Sequence, residues 1–543
     1  MDQSSETISH LFTSNIPPRR FEVTSIQDKI DQLNKAIDDL QIQLQKLEQE
    51  RQACQGVLSP LRRMPLEILG EIFSFALSHE NVEESSRGEN LIMLCLVSRK
   101  WRDAALEAYW LWGDLEVSPH LPWTPRLFEK IKFWLSRSKG SQKSLKLYAP
   151  DHGDPCTTSD ECPVSNPDGP LAALLADGPI LWKLFLYCPG EQCFRNLGTT
   201  MERMRKGTLT PWDSLRLLEL EFGEWSYWPG SFDPDEETDD ANDTFNHLPP
   251  AVTSFDLRLP DLDGPRDRPT ACLRIPEPYI HRFTTLRLEL NWEATAALKV
   301  LEECVDLETL VFDFRRDCFE CKEIPYTNRL RRDGILLPKL RTLRLEHASV
   351  CDDFLRFFRT PSLFELDLSF EPMMDTFDEG QADEAPAEFG SDLVSFIQRS
   401  QCALRRFRIH YLSFQVNYDK SMLDTILSCL PTLTHLTLDT VTFNGEDFWL
   451  LEQTRPDPLP KLEVFELLNI PYFAPFFDPS YIAGFIDARY PDKQSSKDSL
   501  RKFVLTYRKP VEPHEHPVHE LEIDLSAPRL RRCHGMEVSL GFS

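Results

Sequence analysis

The sequence predicts an α/β protein in three parts: an N-terminal heptad helix, a short helical segment with two apolar faces, and a long array carrying a curved parallel sheet with helices on its outer side. Three observations predict it. Residues 26–47 place an apolar side chain at alternating steps of four and three. Residues 58–112 hold more large apolar side chains than one buried helix face can use. From residue 181 onward a Leu-x-x-Leu-x-Leu-x-Leu pattern recurs twelve times, which unrelated α/β domains would not do.

Residues 1–20 are polar, contain Pro17-Pro18 and read as a disordered tail. Residues 21–55 form the coiled-coil helix. Its seam runs Ile26, Ile30, Leu33, Ile37, Leu40, Leu44, Leu47. A repeat of 3.5 residues is the mark of two helices wrapped on each other. With Ile30, Ile37 and Leu44 at a, and Leu33, Leu40 and Leu47 at d, the pattern favours a parallel homodimer. The flanking positions Gln27, Asn34, Gln41, Ala36 and Gln43 are neutral, and the seam breaks at Arg51. A helix folded back on the protein's own body is the other reading of the same seam.

The segment Leu58–Trp112 reads LSPLRRMPLEILGEIFSFAL, a polar gap, then LIMLCLVSRKWRDAALEAYWLW. Pro65 stands where a helix begins, a place that tolerates its missing N–H. Leu66, Leu69, Ile72, Phe73, Ala76 and Leu77 form one stripe, while Ile68 and Phe75 fall off it, so the helix is apolar on more than one face. Ser98 is placed to cap a helix carrying Trp101, Ala105, Ala108 and Trp112. These residues resemble the F-box over 58–116: Met-Pro-Leu-Glu-Ile-Leu-x-x-Ile-Phe, then Leu-Cys-Leu-Val-Ser-Arg-x-Trp-Arg and a closing Trp. The resemblance implies a three-helix module that docks on the Skp-type adaptor of cullin–RING ubiquitin ligases. It assigns the adaptor contact to Pro65, Leu66, Ile68, Leu69, Ile72, Val97 and Trp101. Met64 departs from the Leu that the family prefers before Pro, a volume-conserving change. The gap Ser78–Asn90 is long for the family.

Residues 117–543 form the array. Its strand patterns begin at Leu181, Leu215, Val252, Phe283, Leu307, Leu340, Leu363, Leu404, Leu433, Leu462, Leu500 and Val518. Each alternates at its centre, as a strand with one buried face does. Helical segments are expected at 294–304, 352–359, 393–400 and 420–430. The array resembles irregular leucine-rich repeats, with Ala348, Val441 and Ile470 where a regular repeat places Asn. Acidic loops, 229–247 and 371–391, interrupt it, since runs such as DPDEETDDAND cannot bury enough apolar surface to order themselves. Before the array, 126–138 reads as a helix, 145–147 as a first strand and 151–170 as a loop.

Composition narrows the function. A net charge of −27 argues against nucleic acid, whose binding releases counterions to basic surface, and against anionic membranes. No run is long and apolar enough for a signal peptide or a spanning helix. The 14 cysteines are scattered; Cys95, Cys304, Cys402 and Cys429 lie in apolar patterns and read as free thiols of a reducing compartment, cytoplasm or nucleus. Cys318-x-x-Cys321 has no second pair at ligand spacing beyond His347 and Cys351, so no metal is expected. His514, His516 and His519 lie in a Pro-flanked turn. Nucleotide-binding and hydrolase signatures are absent from the sequence, and neither a cofactor nor a catalytic residue is expected.

The resemblance therefore implies a non-catalytic subunit of an SCF-type ubiquitin ligase that receives a protein substrate. The alternative is a coiled-coil and repeat scaffold that binds proteins without ligase activity. In the strand pattern the Leu positions point inward and the residues between them outward. That face carries Glu219, Glu221, Asp256, Arg258, Arg287, Glu289, Arg344, Glu346, Asp367, Arg408, His410, Thr437, Asp439, Glu466, Val504, Thr506, Glu522 and Asp524. Its alternating charge suits a polar protein segment, with Arg258, Arg287, Arg344, Arg408, His410 and Asp439 as the candidate contacts.

Overall fold

The computed structural model describes residues 17–78, 87–118, 121–149, 162–205, 209–225, 243–260, 273–291, 294–314, 324–349, 353–370, 385–412, 414, 423–443, 446–453, 459–470, 482, 484–486, 500–508 and 537–542. The chain divides into two compact units, Met1–Leu111 and Trp112–Ser543. The division corrects the expected boundary: residues 112–116 belong with the sheet, because Asp114–Glu116 pairs with Ser144–Lys146.

The first unit contains four α-helices among the described residues: α1 (Arg20–Leu58), α2 (Leu66–Ser78), α3 (Arg87–Val97) and α4 (Arg99–Glu107). At about 1.5 Å per residue, the 39-residue α1 is about 58 Å long. Its seam side chains Ile30, Leu33, Ile37, Leu40, Leu44 and Leu47 are all exposed. Helices α2 and α3 both pack on α4, and Leu69, Phe73, Leu91, Ala104, Ala105, Ala108 and Leu111 are buried. The Ser98 hydroxyl accepts from the Trp101 amide at 3.2 Å and caps α4, as its sequence position predicts. Most of the long gap, residues 79–86, lies outside the described residues.

The second unit carries a 14-stranded sheet. Its strands are β1 (Asp114–Glu116), β2 (Ser144–Tyr148), β3 (Lys183–Gly190), β4 (Leu217–Glu224), β5 (Ser254–Arg258), β6 (Thr285–Glu289) and β7 (Thr309–Asp313). They continue with β9 (Thr342–Ala348), β11 (Glu365–Phe370), β12 (Arg406–His410), β13 (His435–Asp439), β14 (Val464–Ile470), β15 (Lys502–Tyr507) and β16 (Glu537–Phe542). They lie in sequence order and every neighbouring pair is parallel. Two short strands, β8 (Ile335–Leu336) and β10 (Phe358–Arg359), pair separately.

The regularity has a simple source. Each of the first eleven patterns begins two residues before its strand, and that first residue, from Leu181 to Leu500, is buried. The inward Leu and Phe of the strands share one continuous core with helices α5 (Pro125–Ser136), α6 (Pro170–Asp177), α7 (Glu191–Met204), α8 (Glu277–Ile280), α9 (Ala294–Glu302), α10 (Pro325–Asp333), α11 (Ala385–Ser400), α12 (Leu423–Ser428) and α13 (Glu446–Gln453). Phenylalanine fills the wider gaps: the Phe194 ring of α7 stands 6.3 Å from both Phe222 and Phe245.

Several expectations change. Where a helix was expected over 352–359, the described residues form a one-turn 3₁₀ helix, Phe354–Phe357, followed by β10, whose Phe358 and Arg359 are taken up by parallel pairing with Ile335 and Leu336. The 371–391 loop gives way to α11 at Ala385, where Phe389 reaches the core, and the 229–247 loop ends at a short turn, Asp243–Phe245, with Phe245 buried. The cores of both acidic runs lie outside the described residues, as do residues 1–16, the Val518 pattern and its Glu522 and Asp524. Cys318, Cys321, Cys351 and the three loop histidines also lie outside them. Among the described residues no helix is long and apolar enough to cross a membrane.

Candidate functional site

Two surfaces present functional groups, one on each unit. In the first unit, the inward face of α2 is set by Leu69, Gly70 and Phe73. A Cβ at Gly70 would stand 2.8 Å from the Ala108 Cβ, so this close approach needs glycine. The Phe73 ring lies 5.1 Å from the Trp101 ring. With those residues turned inward, Ile68, Ile72 and Phe75 form an outward stripe at i, i+4 and i+7, and Phe75 is 71% exposed. On α3, Ile92, Met93, Leu96 and Val97 are exposed as well. Single apolar side chains on a surface are ordinary; seven on two helices of one small bundle are more than its own core uses.

Of the predicted adaptor residues, Pro65, Ile68, Ile72 and Val97 are exposed, and Leu66 and Trp101 are half-buried. Leu69 is a correction. At 1% exposure it belongs to the core of the bundle and has no surface to offer a partner. Phe75, Met93 and Leu96 take its place on the outer face. Their signal was in the sequence: Leu91–Val97 is seven apolar residues in a row, more than one face of a helix holds.

In the second unit, the residues between the buried Leu positions form rows across the sheet. Glu219, Asp256, Arg287, Val311, Arg344, Asp367, Arg408, Thr437, Glu466 and Val504 are successive register partners. Glu221, Arg258, Glu289, Asp313 and Glu346 form a second row, and His410 pairs with Asp439 beyond them. All six candidate substrate contacts thus share one face. Their charges answer one another across strands. Arg287 reaches Glu346 at 2.7 Å and Asp313 at 3.3 Å, while Arg258 lies 3.4 Å from Glu289 and 3.6 Å from Glu221. Arg344 meets Glu365 at 3.3 Å, Arg408 meets Asp439 at 3.5 Å, and both arginines are about half exposed.

The His410 ring stands between two carboxylates, 3.2 Å from Asp439 and 3.8 Å from Asp367. Burial pushes both acids upward, but hydrogen bonds with His410 and Asn469 hold the Asp439 carboxyl at about 2, with Asn469 Nδ2 donating to Asp439 at 2.8 Å. The Asp367 carboxyl stays raised, because burial outweighs the attraction of His410. Burial also pushes Asp256 up to about 6, against the pull of Arg258.

The structure adds a feature that no sequence pattern announced. His347, Tyr411, Thr440 and Asn469, at the C-terminal ends of β9, β12, β13 and β14, all have φ between 50° and 60°. None is glycine, and the left-handed region costs such residues about 1–2 kcal/mol. The buried Ala348, Val441 and Ile470 follow three of them directly. Strain held in this way gathers at functional edges of proteins.

A cleft of about 80 Å³ beside α7 is lined by Glu202, Arg205, Asp213, His247 and Tyr279. Its charges are consumed internally: Arg205 pairs with Asp213, and His247 with Glu202 at 2.7 Å. Among the described residues no group of three His, Cys, Asp or Glu side chains is arranged to hold a metal ion. No protein-family model matches this chain. No curated protein matches it either.

Proposed function

We propose that this chain is the substrate-recognition subunit of an SCF-type cullin–RING ubiquitin ligase. In this reading the outer face of α2 and α3 docks on a Skp-type adaptor, and the polar sheet face holds a segment of the protein to be modified. The observation that carries it is the outward stripe Ile68, Ile72 and Phe75 of α2 together with the exposed Met93, Leu96 and Val97 of α3. A bundle whose core is already complete gains nothing from these side chains alone. Full burial of each against a partner is worth about 1.5–3 kcal/mol, so a few suffice for a stable complex.

The sheet face suits the second role. Its ion pairs lie at 3.3–3.6 Å for several arginines, so an incoming segment can exchange one partner for another without stranding a buried charge. The chain would act by proximity, holding a substrate lysine near an activated ubiquitin, with no bond made or broken on the chain itself. Co-purification with a Skp-type adaptor tests the reading, comparing the parent with a variant carrying Ile72→Asp and Phe75→Asp. Both positions are exposed, so the bundle should fold. The parent retains the adaptor and the variant does not; failure of the parent, or equal capture by both, removes the proposal.

A further inference from the structure

We infer that α1 is the dimerisation element of this protein, pairing with α1 of a second copy as a parallel, in-register coiled coil. The seam keeps a 3.5-residue period from Ile26 to Leu47, the spacing that holds an apolar stripe against a partner helix along its whole length. A stripe meant for a flat protein surface follows 3.6 and drifts. None of Ile30, Leu33, Ile37, Leu40, Leu44 and Leu47 is buried within the chain; each is 43–64% exposed. Covering the exposed parts of these side chains on two copies, with their flanks, approaches the roughly 1,200 Å² at the low end of stable interfaces.

The occupant is a second copy rather than a foreign helix, and the charge pattern argues for it. In a parallel pair the flanking contacts are Lys29 with Asn34, Ala36 with Gln41 and Gln43 with Glu48, each with its counterpart on the other copy. None sets like charges together, and none carries the complementary charge that would select a different partner. Isoleucine at two a positions with leucine at the d positions favours two strands in a parallel coil.

One residue reports the geometry. Cys54 continues the d positions seven residues after Leu47, lies within α1 and is exposed. Beyond the break at Arg51, the two Cys54 thiols of a parallel, in-register pair lie at the same end of the paired helices, within reach of each other; in an antiparallel pair they lie at opposite ends. Under the proposed function, which the dimer itself does not require, each assembly would carry two sheet faces and hold a two-site substrate by avidity.

The test uses the full chain. Light scattering should give twice 63.0 kDa for the parent and a two-fold lower mass for Ile30→Asp plus Ile37→Asp. Circular dichroism should show that the variant keeps its remaining secondary structure, and Ile37→Asn, a polar a residue that two-stranded coils tolerate, should remain dimeric. Diamide, taking two electrons and two protons from the paired thiols, should give a covalent dimer that Cys54→Ser abolishes. A monomeric parent, or a dimer that survives both aspartates, overturns the inference. A dimer that diamide leaves uncrosslinked overturns the parallel arrangement.

Discussion

Replacing Arg287 with Met keeps most of the apolar stem and removes the guanidinium. Three carboxylates then lose their shared cation: Glu346 at 2.7 Å, Asp313 at 3.3 Å and Asp256 at 3.9 Å. Breaking a fully buried pair costs about 3–5 kcal/mol, and an exposed one about 0–1 kcal/mol. Arg287 is 27% exposed, which places the expected loss at about 2 kcal/mol at neutral pH. The loss should depend on pH. Burial holds Asp256 at about 6 in the folded protein, above the roughly 3.9 of an unfolded chain. A carboxyl raised in this way contributes stability that is complete below about pH 4 and is lost as pH rises through about 6. Without Arg287 its pKa rises further, so acid should rescue the variant. Urea midpoints read by circular dichroism near pH 7.5 and near pH 5 measure this. The variant's deficit should shrink at the lower pH. A deficit that is absent at neutral pH, or the same at both, refutes the ion-pair reasoning.

Three further expectations follow from the same structure. Asp439→Asn should lose about 1–2 kcal/mol near pH 7, because a carboxyl held at about 2 stabilises above its unfolded value and loses that contribution as pH falls; urea titration should find the deficit smaller near pH 3 than near pH 5. Tyr411→Gly should raise the thermal midpoint, relieving a non-glycine residue at φ 56° by about 1 kcal/mol, since its side chain is exposed; a lowered midpoint would contradict the expected relief. In the helical bundle, Leu69→Ala should cost about 2–5 kcal/mol as a core cavity, whereas Ile72→Ala, on the exposed face, should stay within about 0.5 kcal/mol, both read by thermal melts.

Much of the array was legible in the sequence because one chemical requirement repeats. The apolar residue two places before each strand and the alternating Leu after it must both be buried, so the starts of the 14-stranded sheet's strands from β3 to β15 could be read directly, while the separate pair β8 and β10 could not. Strand β1 was not, since Asp114–Glu116 is too short to show alternation. In α2 the two apolar faces were visible, but period alone does not say which one turns inward. Gly70 held that answer, because only a close helix approach needs glycine beside Leu69. The left-handed turns at Tyr411 and Thr440 left no trace, since neither residue type favours a positive φ; His347 and Asn469 are types enriched there, but each sits within a strand pattern that hides the signal.

The central claim is that the outer face of α2 and α3 binds a Skp-type adaptor, and calorimetric titration of the adaptor into the full chain tests it most directly. The account predicts saturable binding by the parent. Phe75→Ala should weaken it roughly tenfold or more, as expected when a large apolar side chain no longer fills an interface. Leu69→Met, a volume-conserving core change, should bind as the parent does. No heat of binding from a folded parent, or the same affinity for parent and Phe75→Ala, would contradict it.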